Sequence, residues 1–346
     1  MSELVSSYRA AGVNIDQANL AKKKIKTLAR QSFTRGVLTE IGGFGGLFRL
    51  ERNRYSSPIL VSSVDGVGTK LKVAFATGIH NTVGKDLVAH CVNDILVQGA
   101  TPLFFMDYIA TGKMSPNIVA KVVEGISKGC REAGCALLGG ETAEMPGFYQ
   151  DGEYDLAGFI VGVVEKAKII DGCDIRPGNV ILGLPSAGLH TNGYSLARKL
   201  LLEKSGYTVN TFIPELKDTA GAALLAPHLN YLPALKPLIE PKFIKGLAHI
   251  TGGGLTENIP RILPNNCTAV IRMRTWPGLP IFGLIQKLGQ VSEAEMLRTF
   301  NMGIGMVVII SPKNLVSVEQ HFKRCKQSYY HIGEIRKGKR RVVYEA

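Results

Sequence analysis

Short apolar runs rich in β-branched residues alternate with amphipathic, helix-like segments along the chain, and this alternation constrains the fold most. The runs Pro58–Val64, Leu103–Ile109 and Leu156–Val164 have the length of strands. Val83–Gln98 and Asn117–Ala133 repeat apolar residues at helical spacing instead. Strands and helices that alternate in this way bury their apolar surfaces by packing helices onto sheets. The sequence therefore predicts a mixed α/β protein.

The alternation is interrupted near residues 166–177, where charged and turn-forming residues replace apolar ones. It restarts with a predicted strand at Asn179–Leu184 and continues to the strand Gly305–Ile310. A chain of 346 residues is long enough for two domains, each with its own core. We therefore expect an N-terminal domain over residues 1–170 and a C-terminal α/β domain over residues 171–346.

Membrane insertion and secretion are not indicated. The longest strongly apolar run without charge, Asn301–Pro312, is far shorter than the roughly 20 residues that a spanning helix needs. The first residues lack the basic start and apolar core of a signal peptide. The six cysteines form no Cys-x-x-Cys pair, which favours free thiols over a disulfide framework or a zinc site. We expect a cytoplasmic protein without a membrane partner.

The net charge of +13 is concentrated in residues 1–36 and 313–346. A basic surface attracts polyanions, so a nucleic-acid-binding module is the alternative from another functional class. Neither basic segment is interleaved with aromatic residues or accompanied by a known nucleic-acid-reading motif. We interpret both as solvated faces and expect no specific nucleic-acid partner.

A candidate metal–phosphate site follows the first predicted strand, in the run Asp65-Gly-Val-Gly-Thr-Lys70. Glycines such as Gly68 let backbone N–H groups approach phosphate oxygens, and the Thr69 hydroxyl and Lys70 ammonium add donors. Asp65 offers the hard oxygen that Mg²⁺ prefers. The run fits neither the Walker A nor the dinucleotide-binding pattern. A tight turn capped by Asp65 would explain the same residues without a ligand.

Further acids accompany this run. Asp86, His90 and either Asn93 or Asp94 share one face of the helix Val83–Gln98, and Glu141 follows a short predicted strand beside paired glycines. Together with Asp65, these acids could hold Mg²⁺ that bridges a triphosphate. The stripe that contains Asp94 could equally be the solvent face of its helix, and its spacing alone favours that simpler interpretation.

Two histidines lie in glycine-rich loops before predicted helices: His190, ahead of Gly193, and His249, ahead of Gly252–Gly254. Such loops suit an anion, and imidazole titrates near neutrality, so either could be an acid–base group or a packed structural side chain. A phosphate near His190 would favour its charged form. We rank His190 above His249 as a catalytic residue. A hydrolase is disfavoured because no Gly-x-Ser-x-Gly elbow is present.

As an ordered set, the motifs closely resemble the family of phosphoribosylformylglycinamidine cyclo-ligases, also called aminoimidazole ribonucleotide synthetases. The resemblance runs from about Ser7 to Val343, and the complete order is more specific than any single motif. The motifs that carry it are Gly43–Gly46, Val64–Lys70, Cys91–Asp94, Gly139–Gly147, His190–Ser195, Leu247–Gly254 and Arg298–Met306.

The resemblance implies ATP- and Mg²⁺-dependent closure of formylglycinamidine ribonucleotide to aminoimidazole ribonucleotide in de novo purine biosynthesis, with ADP and phosphate as co-products. It also implies a homodimer whose N-terminal sheets pair into a barrel, with α/β C-terminal domains outside. The residues it implicates fall into three groups. These are Asp65, Lys70, Asp94 and Glu141 for metal and ATP; Lys26, Gly43, Gly45 and Gly46 near the nucleotide; and His190, Thr191 and Asn192 at the domain cleft.

Sister enzymes of the same superfamily are the enzymatic alternative. A selenophosphate synthetase would carry a reactive cysteine early in the chain, whereas the first cysteine here is Cys91. A thiamine-phosphate kinase has a similar length but lacks the complete Gly139–Gly147 motif. Formylglycinamidine ribonucleotide synthetase would need a glutamine-hydrolysing partner or domain, for which this chain has no room.

Overall fold

The computed structural model describes residues 7–8, 11–51 and 54–345. In the first half, a four-stranded sheet in the order β1-β4-β2-β3 is parallel only between β2 and β3. Its elements are α1 (Ile15–Arg30), β1 (Pro58–Gly66), α2 (Leu71–Thr77), α3 (Val83–Leu96), β2 (Thr101–Thr111), α4 (Pro116–Ala133), β3 (Ala136–Glu144) and β4 (Tyr154–Glu165).

The second half contains a six-stranded mixed sheet, in the order β12-β9-β11-β5-β10-β8, and a two-stranded ribbon of β6 and β7. Its strands are β5 (Val180–Pro185), β6 (Phe212–Ile213), β7 (Asp218–Thr219), β8 (Ile244–His249), β9 (Cys267–Arg272), β10 (Ile304–Ile310), β11 (Tyr330–Lys337) and β12 (Arg341–Glu345). Its helices are α5 (Tyr194–Arg198), α6 (Ala220–Leu224), α7 (Leu232–Ile239), α8 (Gly254–Asn258), α9 (Pro280–Gly289), α10 (Glu293–Thr299) and α11 (Leu315–Arg324).

Helices α3 and α4 cover one face of the first sheet. On β2 the side chains of Phe105 and Ile109 point to this face and are fully buried, as the two-residue period of a strand requires. The two helices approach closely, because a Cβ at Gly84 of α3 would lie only 2.2 Å from the carbonyl oxygen of Val122 on α4. This helix layer places the polar residues of α3 between the two halves of the chain.

The opposite face of the first sheet is apolar and exposed. Leu60 and Val64 of β1 are 64% and 57% exposed, and Met106 of β2 and Phe159 of β4 are also exposed. A contiguous apolar face of this kind marks an interaction surface more often than free solvent surface.

The predicted α/β class is confirmed, and two local differences bear on the candidate site. Strand β3 continues to Glu144 instead of ending at Leu138, because residues 139–144 pair in parallel with β2 despite the low strand propensity of glycine. Asp65 is part of β1 and pairs with Gly158, so it does not follow the strand. One buried apolar cluster extends from the first sheet through α7 into the second sheet, and the division at residue 170 stays a prediction.

No helix in the described part of the chain combines the length and apolar character needed to cross a bilayer.

Candidate active site between the two sheets

The polar face of α3 is buried inside the protein. Asp86 and Asn93 are fully buried, and His90 is 4% exposed. A loop of the second half covers them: the backbone N–H of His228 donates to Asp86 Oδ1 at 2.7 Å, and Asn93 Nδ2 donates to the carbonyl oxygen of Leu229 at 2.8 Å. The solvent-face interpretation is therefore wrong, since helical spacing identifies a polar face but not the segment that covers it.

Four histidines from separate parts of the chain meet beside this face. His90 belongs to α3, His190 follows β5, His228 lies between α6 and α7, and His249 ends β8. The ring of His228 stacks on that of His190 at 4.2 Å between centroids and lies 5.1 Å from that of His249. The rings of His90 and His249 are 5.1 Å apart. We call these four residues the histidine cluster.

Two predicted carboxylates contact the histidine cluster. Asp65 Oδ2 lies 2.7 Å from His90 Nε2, and Asp94 Oδ1 lies 2.8 Å from His249 Nδ1. Asp94 Oδ2 accepts a hydrogen bond from the Ser63 hydroxyl at 3.1 Å and lies 3.9 Å from His90 Nε2. The structure thus brings Asp65 and Asp94 together through the imidazoles between them.

These contacts determine the protonation of both acids. Burial by itself raises the pKa of Asp65, but its hydrogen bond to His90 and the charge of that ring hold the pKa below the usual range. Burial also raises the pKa of Asp94, but the hydrogen bonds from His249 and Ser63 and the charges of His249 and His90 together lower it. Burial lowers the pKa of His90, yet Asp65 and Asp94 more than compensate and raise it. Both carboxylates are therefore ionised at neutral pH.

The other three histidines have lowered pKa values. Burial is the main cause for His190 and His228, and the neighbouring positive groups add to it. Burial also lowers the pKa of His249, although Asp94 opposes the shift. In the protein itself, burial therefore opposes the charged form of His190 that its loop position predicts. His190 Nδ1 has no hydrogen-bond partner among the described residues.

Lys70 is fully buried and has protein partners on all sides. Its Nζ lies 2.6 Å from Asp86 Oδ2 and donates to the carbonyl oxygens of Ala226 at 2.8 Å and of His190 at 3.1 Å. Two of its three N–H donors are therefore held by carbonyl oxygens, and its charge is paired with a buried carboxylate. The charge of Lys70 is thus paired inside the protein and its position holds the His190 loop, while its role in neutralising phosphate stays a prediction.

The remaining residues of the first glycine run lie at the same junction. Thr69 Oγ1 is 3.1 Å from Ser195 Oγ of the second half. Gly68 has a φ of 63° and open space where a Cβ would project. Asn192 Oδ1 would lie 3.3 Å from a Cβ at Gly252, so the two glycine-rich loops of the second half also meet here.

Glu141 lies elsewhere on the first sheet. Asp65 pairs with Gly158, Gly158 with Asp107, and Asp107 with Gly140, so these four residues form one row across the sheet. Three strand spacings separate the ends of this row by roughly 14 Å. Glu141 follows Gly140 and therefore points to the opposite, exposed face. Among the described residues of one chain, Glu141 therefore lies apart from Asp65 and Asp94.

The predicted nucleotide residues form a second group near β3. Lys26 Nζ of α1 lies 3.9 Å from Glu40 Oε2, in a weak exposed ion pair. The loop Gly43–Gly46 follows, and a Cβ at Gly46 would lie 2.5 Å from Leu138 Cγ of β3. Glu141 extends from the same strand, so the structure divides the predicted residues between the interface of the two halves and the β3 edge.

Sequence reasoning missed His228 and Asp107. His228 follows Ala226-Pro227 in a loop without a glycine motif, so no local signal distinguishes it. Asp107 is a buried acid within the apolar strand β2, and burial raises its pKa to about 7. A single acid inside an apolar strand was the available signal, because such a group must be paired or neutral.

Family models identify the class of protein to which both halves of the chain belong. Residues 53–164 match the N-terminal domain, and residues 176–345 the C-terminal domain, of the AIR synthase related proteins. Two solved structures share the fold. A thiamine-monophosphate kinase from Stenotrophomonas maltophilia has a TM-score of 0.66 at 16% identity, over 92% of this chain and 94% of that one. Hydrogenase maturation protein HypE in complex with ATP has a TM-score of 0.65 at 19% identity, over 92% of this chain and 88% of that one.

Curated relatives narrow the class. The phosphoribosylformylglycinamidine cyclo-ligase of Trichlorobacter lovleyi is 52% identical over 97% of this chain and 96% of its own length. That of a Thermoanaerobacter species is 54% identical over 95% and 97%. The chain belongs to the phosphoribosylformylglycinamidine cyclo-ligase family and is an enzyme. Its likeness to the kinase is one of fold alone.

Proposed function

We propose that this enzyme closes the imidazole ring of aminoimidazole ribonucleotide from formylglycinamidine ribonucleotide, consuming ATP and releasing ADP and phosphate, in de novo purine biosynthesis. The named activity of relatives about half identical along almost the whole chain supports the reaction class. One structural observation carries the assignment to a site: the histidine cluster links His190 of the second half, through His228 and His249, to Asp94 of the first half, and His90 of the same cluster contacts Asp65.

The chemistry requires an activated amide and little water. Phosphorylation of the formyl amide oxygen converts that oxygen into a good leaving group. The amidine nitrogen then attacks the formyl carbon and expels phosphate. Water would hydrolyse the phosphorylated intermediate, so a site enclosed between two halves suits the reaction. The neutral imidazole of His190, in the loop that Lys70 holds, is the proposed group that acts on the reacting amide.

Asp65 and Asp94 fit a divalent cation, because both are ionised carboxylates with partly exposed side chains. They would hold Mg²⁺, which supplies charge neutralisation for the transferring phosphoryl group. Gly68, Thr69 and Asn192 lie at the same junction and would bind phosphate oxygens. Glu141, also proposed as a ligand, lies on the exposed face of the first sheet.

The nucleotide is proposed to contact Lys26 and the loop residues Gly43, Gly45 and Gly46. Gly43 and Gly45 leave open space where a side chain would project, which permits close approach of a ligand to the backbone. The Lys26 ammonium is exposed and only weakly paired with Glu40, so it is free to exchange that partner for a phosphate.

We further propose a homodimer in the cytoplasm. The exposed apolar face with Leu60, Val64, Met106 and Phe159 supports pairing of the first sheets, since a second copy would bury it. Glu141 on that face would then point toward the partner subunit. All six cysteines are free thiols, which agrees with a reducing compartment.

Turnover with defined substrates tests the proposal. With formylglycinamidine ribonucleotide, ATP and Mg²⁺, we expect aminoimidazole ribonucleotide and ADP in equal amounts. Phosphorylation of thiamine phosphate instead would identify a sister kinase, and neither product would refute both assignments.

The variant Asp65→Asn tests the site. It removes a negative charge without changing shape, and we expect turnover to fall by about 100-fold or more. The matched control is Asp151→Asn, an exposed acid with only a weak contact to Lys113, which should keep normal turnover. Normal activity of Asp65→Asn across a Mg²⁺ titration would exclude Asp65 as a ligand.

A further inference from the structure

Part of the histidine cluster has the geometry of a transition-metal site. One ligand atom each from His90, Asp94 and His249 can be chosen so that all three lie within 4.8 Å of one another. Asp65 Oδ2 is 2.7 Å from His90 Nε2 and adds a fourth donor. Metal bonds of about 2.0–2.1 Å in a tetrahedron place neighbouring ligand atoms roughly 3.3 Å apart. The contacts of 2.7, 2.8 and 3.9 Å bracket this value.

We propose that His90, Asp94 and His249, with Asp65 as the fourth ligand, bind a transition-metal ion of the Zn²⁺ or Co²⁺ class. Two imidazoles and two carboxylates suit such borderline ions, whereas Mg²⁺ prefers an all-oxygen octahedral set. This site therefore differs in ion class from the proposed Mg²⁺ site, although both use Asp65 and Asp94.

Outer hydrogen bonds already orient both imidazole ligands. His90 Nδ1 lies 2.8 Å from Thr191 Oγ1, so its Nε2 is turned toward the carboxylates. His249 Nε2 lies 3.0 Å from His228 Nε2, so its Nδ1 is turned toward Asp94. A metal-binding histidine usually has its second nitrogen fixed in this way.

The same atoms satisfy one another without an ion by sharing protons. His90 Nε2 is in contact with Asp65 and His249 Nδ1 with Asp94, and a bound cation would replace both contacts. Binding would also withdraw Asp65 and Asp94 from Mg²⁺. The expected consequence, inhibition of turnover by Zn²⁺ that excess Mg²⁺ relieves, rests on the proposed function, whereas binding itself does not.

Direct binding tests the inference on tag-free, full-length protein stripped of metal, without ATP or substrate. We expect one equivalent of Zn²⁺ by calorimetry and, with Co²⁺, the intense visible absorption of a four-coordinate ion. The variants His249→Ala and Asp94→Asn should weaken the affinity by about 100-fold, and Thr191→Val, which loses an outer hydrogen bond, by about 10-fold. The matched control is His331→Ala, which removes an exposed histidine 2.7 Å from Glu319 and should not change the affinity.

X-ray absorption at the zinc edge of the wild-type protein does not depend on whether a variant folds. We expect two imidazole ligands, oxygen and no sulfur. Absence of stoichiometric binding, a sulfur ligand, fewer than two imidazoles, or unchanged affinity in both ligand variants would overturn the site. Binding without ring-closing activity would refute only the proposed function.

Discussion

At the scale of single residues, burial controls the chemistry of the histidine cluster. His228 is completely enclosed, with hydrogen-bond contacts to Asn93, Thr191 and His249. Burial lowers its pKa from the usual 6.5, with neighbouring histidines and Lys70 adding to the effect. The ring is therefore built into the folded protein as a neutral hydrogen-bonding group.

His228 should make folding sensitive to mild acid. The unfolded chain binds a proton at His228 below pH 6.5 while the folded chain does not, so this residue's contribution to stability falls as the pH drops through 6.5 toward the folded pKa. Relative to His228→Gln, the wild type should lose up to about 2 kcal/mol of unfolding free energy between pH 6.5 and 5. Urea unfolding at each pH measures this difference. His331→Gln serves as the exposed control, and a pH-independent difference for His228→Gln would contradict the prediction.

His249 should matter to turnover as much as His190 does. The sequence ranks His190 first, but both histidines belong to the histidine cluster. Of these two, His249 is the one that contacts Asp94 directly. We expect His249→Ala and His190→Asn each to lower kcat by about 100-fold, because the first releases Asp94 and the second removes the imidazole proposed to act on the amide. Asparagine is chosen at residue 190 because it tolerates the φ of 61° there.

A buried histidine outside the cluster separates catalysis from packing. His321 of α11 is not a member of the cluster, and its Nε2 donates to the carbonyl oxygen of Ala234 on α7 at 2.8 Å. His321→Ala should lower thermal stability while leaving kcat and the KM for ATP of the folded enzyme unchanged. Equal kinetic losses in all three variants would mean that the histidine cluster has no special role.

At the scale of elements, the two adjacent glycines of β3 have different surroundings. A Cβ at Gly140 would lie 2.4 Å from Asp107 Oδ1 and 2.5 Å from the Asp107 carbonyl oxygen, whereas one at Gly139 meets nothing within 4 Å. Asp107 leans over Gly140 from the neighbouring strand. Close packing of β3 against β2 therefore requires glycine at Gly140 but not at Gly139.

Gly140→Ala should destabilise the protein by about 1–3 kcal/mol, since overpacking forces a strand or the Asp107 side chain to shift. Gly139→Ala is the matched control, one residue away, and should change the stability by less than about 1 kcal/mol. Thermal unfolding of both variants measures the difference. Equal stability of the two variants would show that β2 and β3 can separate freely.

At the scale of the whole molecule, assembly depends on the exposed face of the first sheet. Phe159→Lys places a charge at its centre and should convert the proposed dimer to a monomer, because an unpaired charge would be buried at the interface. Phe212→Lys is the control, since Phe212 is 61% exposed on the β6–β7 ribbon. Sedimentation velocity of both variants gives the answer; a wild-type monomer, or a dimer that survives Phe159→Lys, would refute this interface.

Local patterns in the sequence were enough to predict many of the helices and strands and to identify the family. Runs such as Pro58–Val64 and Asn117–Ala133 predicted their strand and helix within a few residues, because periodicity reflects local backbone geometry and which face is apolar. The ordered motifs identified the family because they are contiguous in the chain. Asp65, Asp94 and His190 could be proposed as site residues for the same reason.

Which side chains meet depends on how the two halves of the chain pack together, and this could not be predicted from local patterns. His90 and His249 are far apart in the chain, and His228 has no local motif, yet their rings are in contact. The acidic stripe of α3 and the ammonium of Lys70 are buried because loops of the second half dock on them. Docking depends on the shape and charge of surfaces remote in sequence, which no local pattern encodes. The contacts among these histidines, acids and Lys70, and therefore their protonation states, are set by the folded protein.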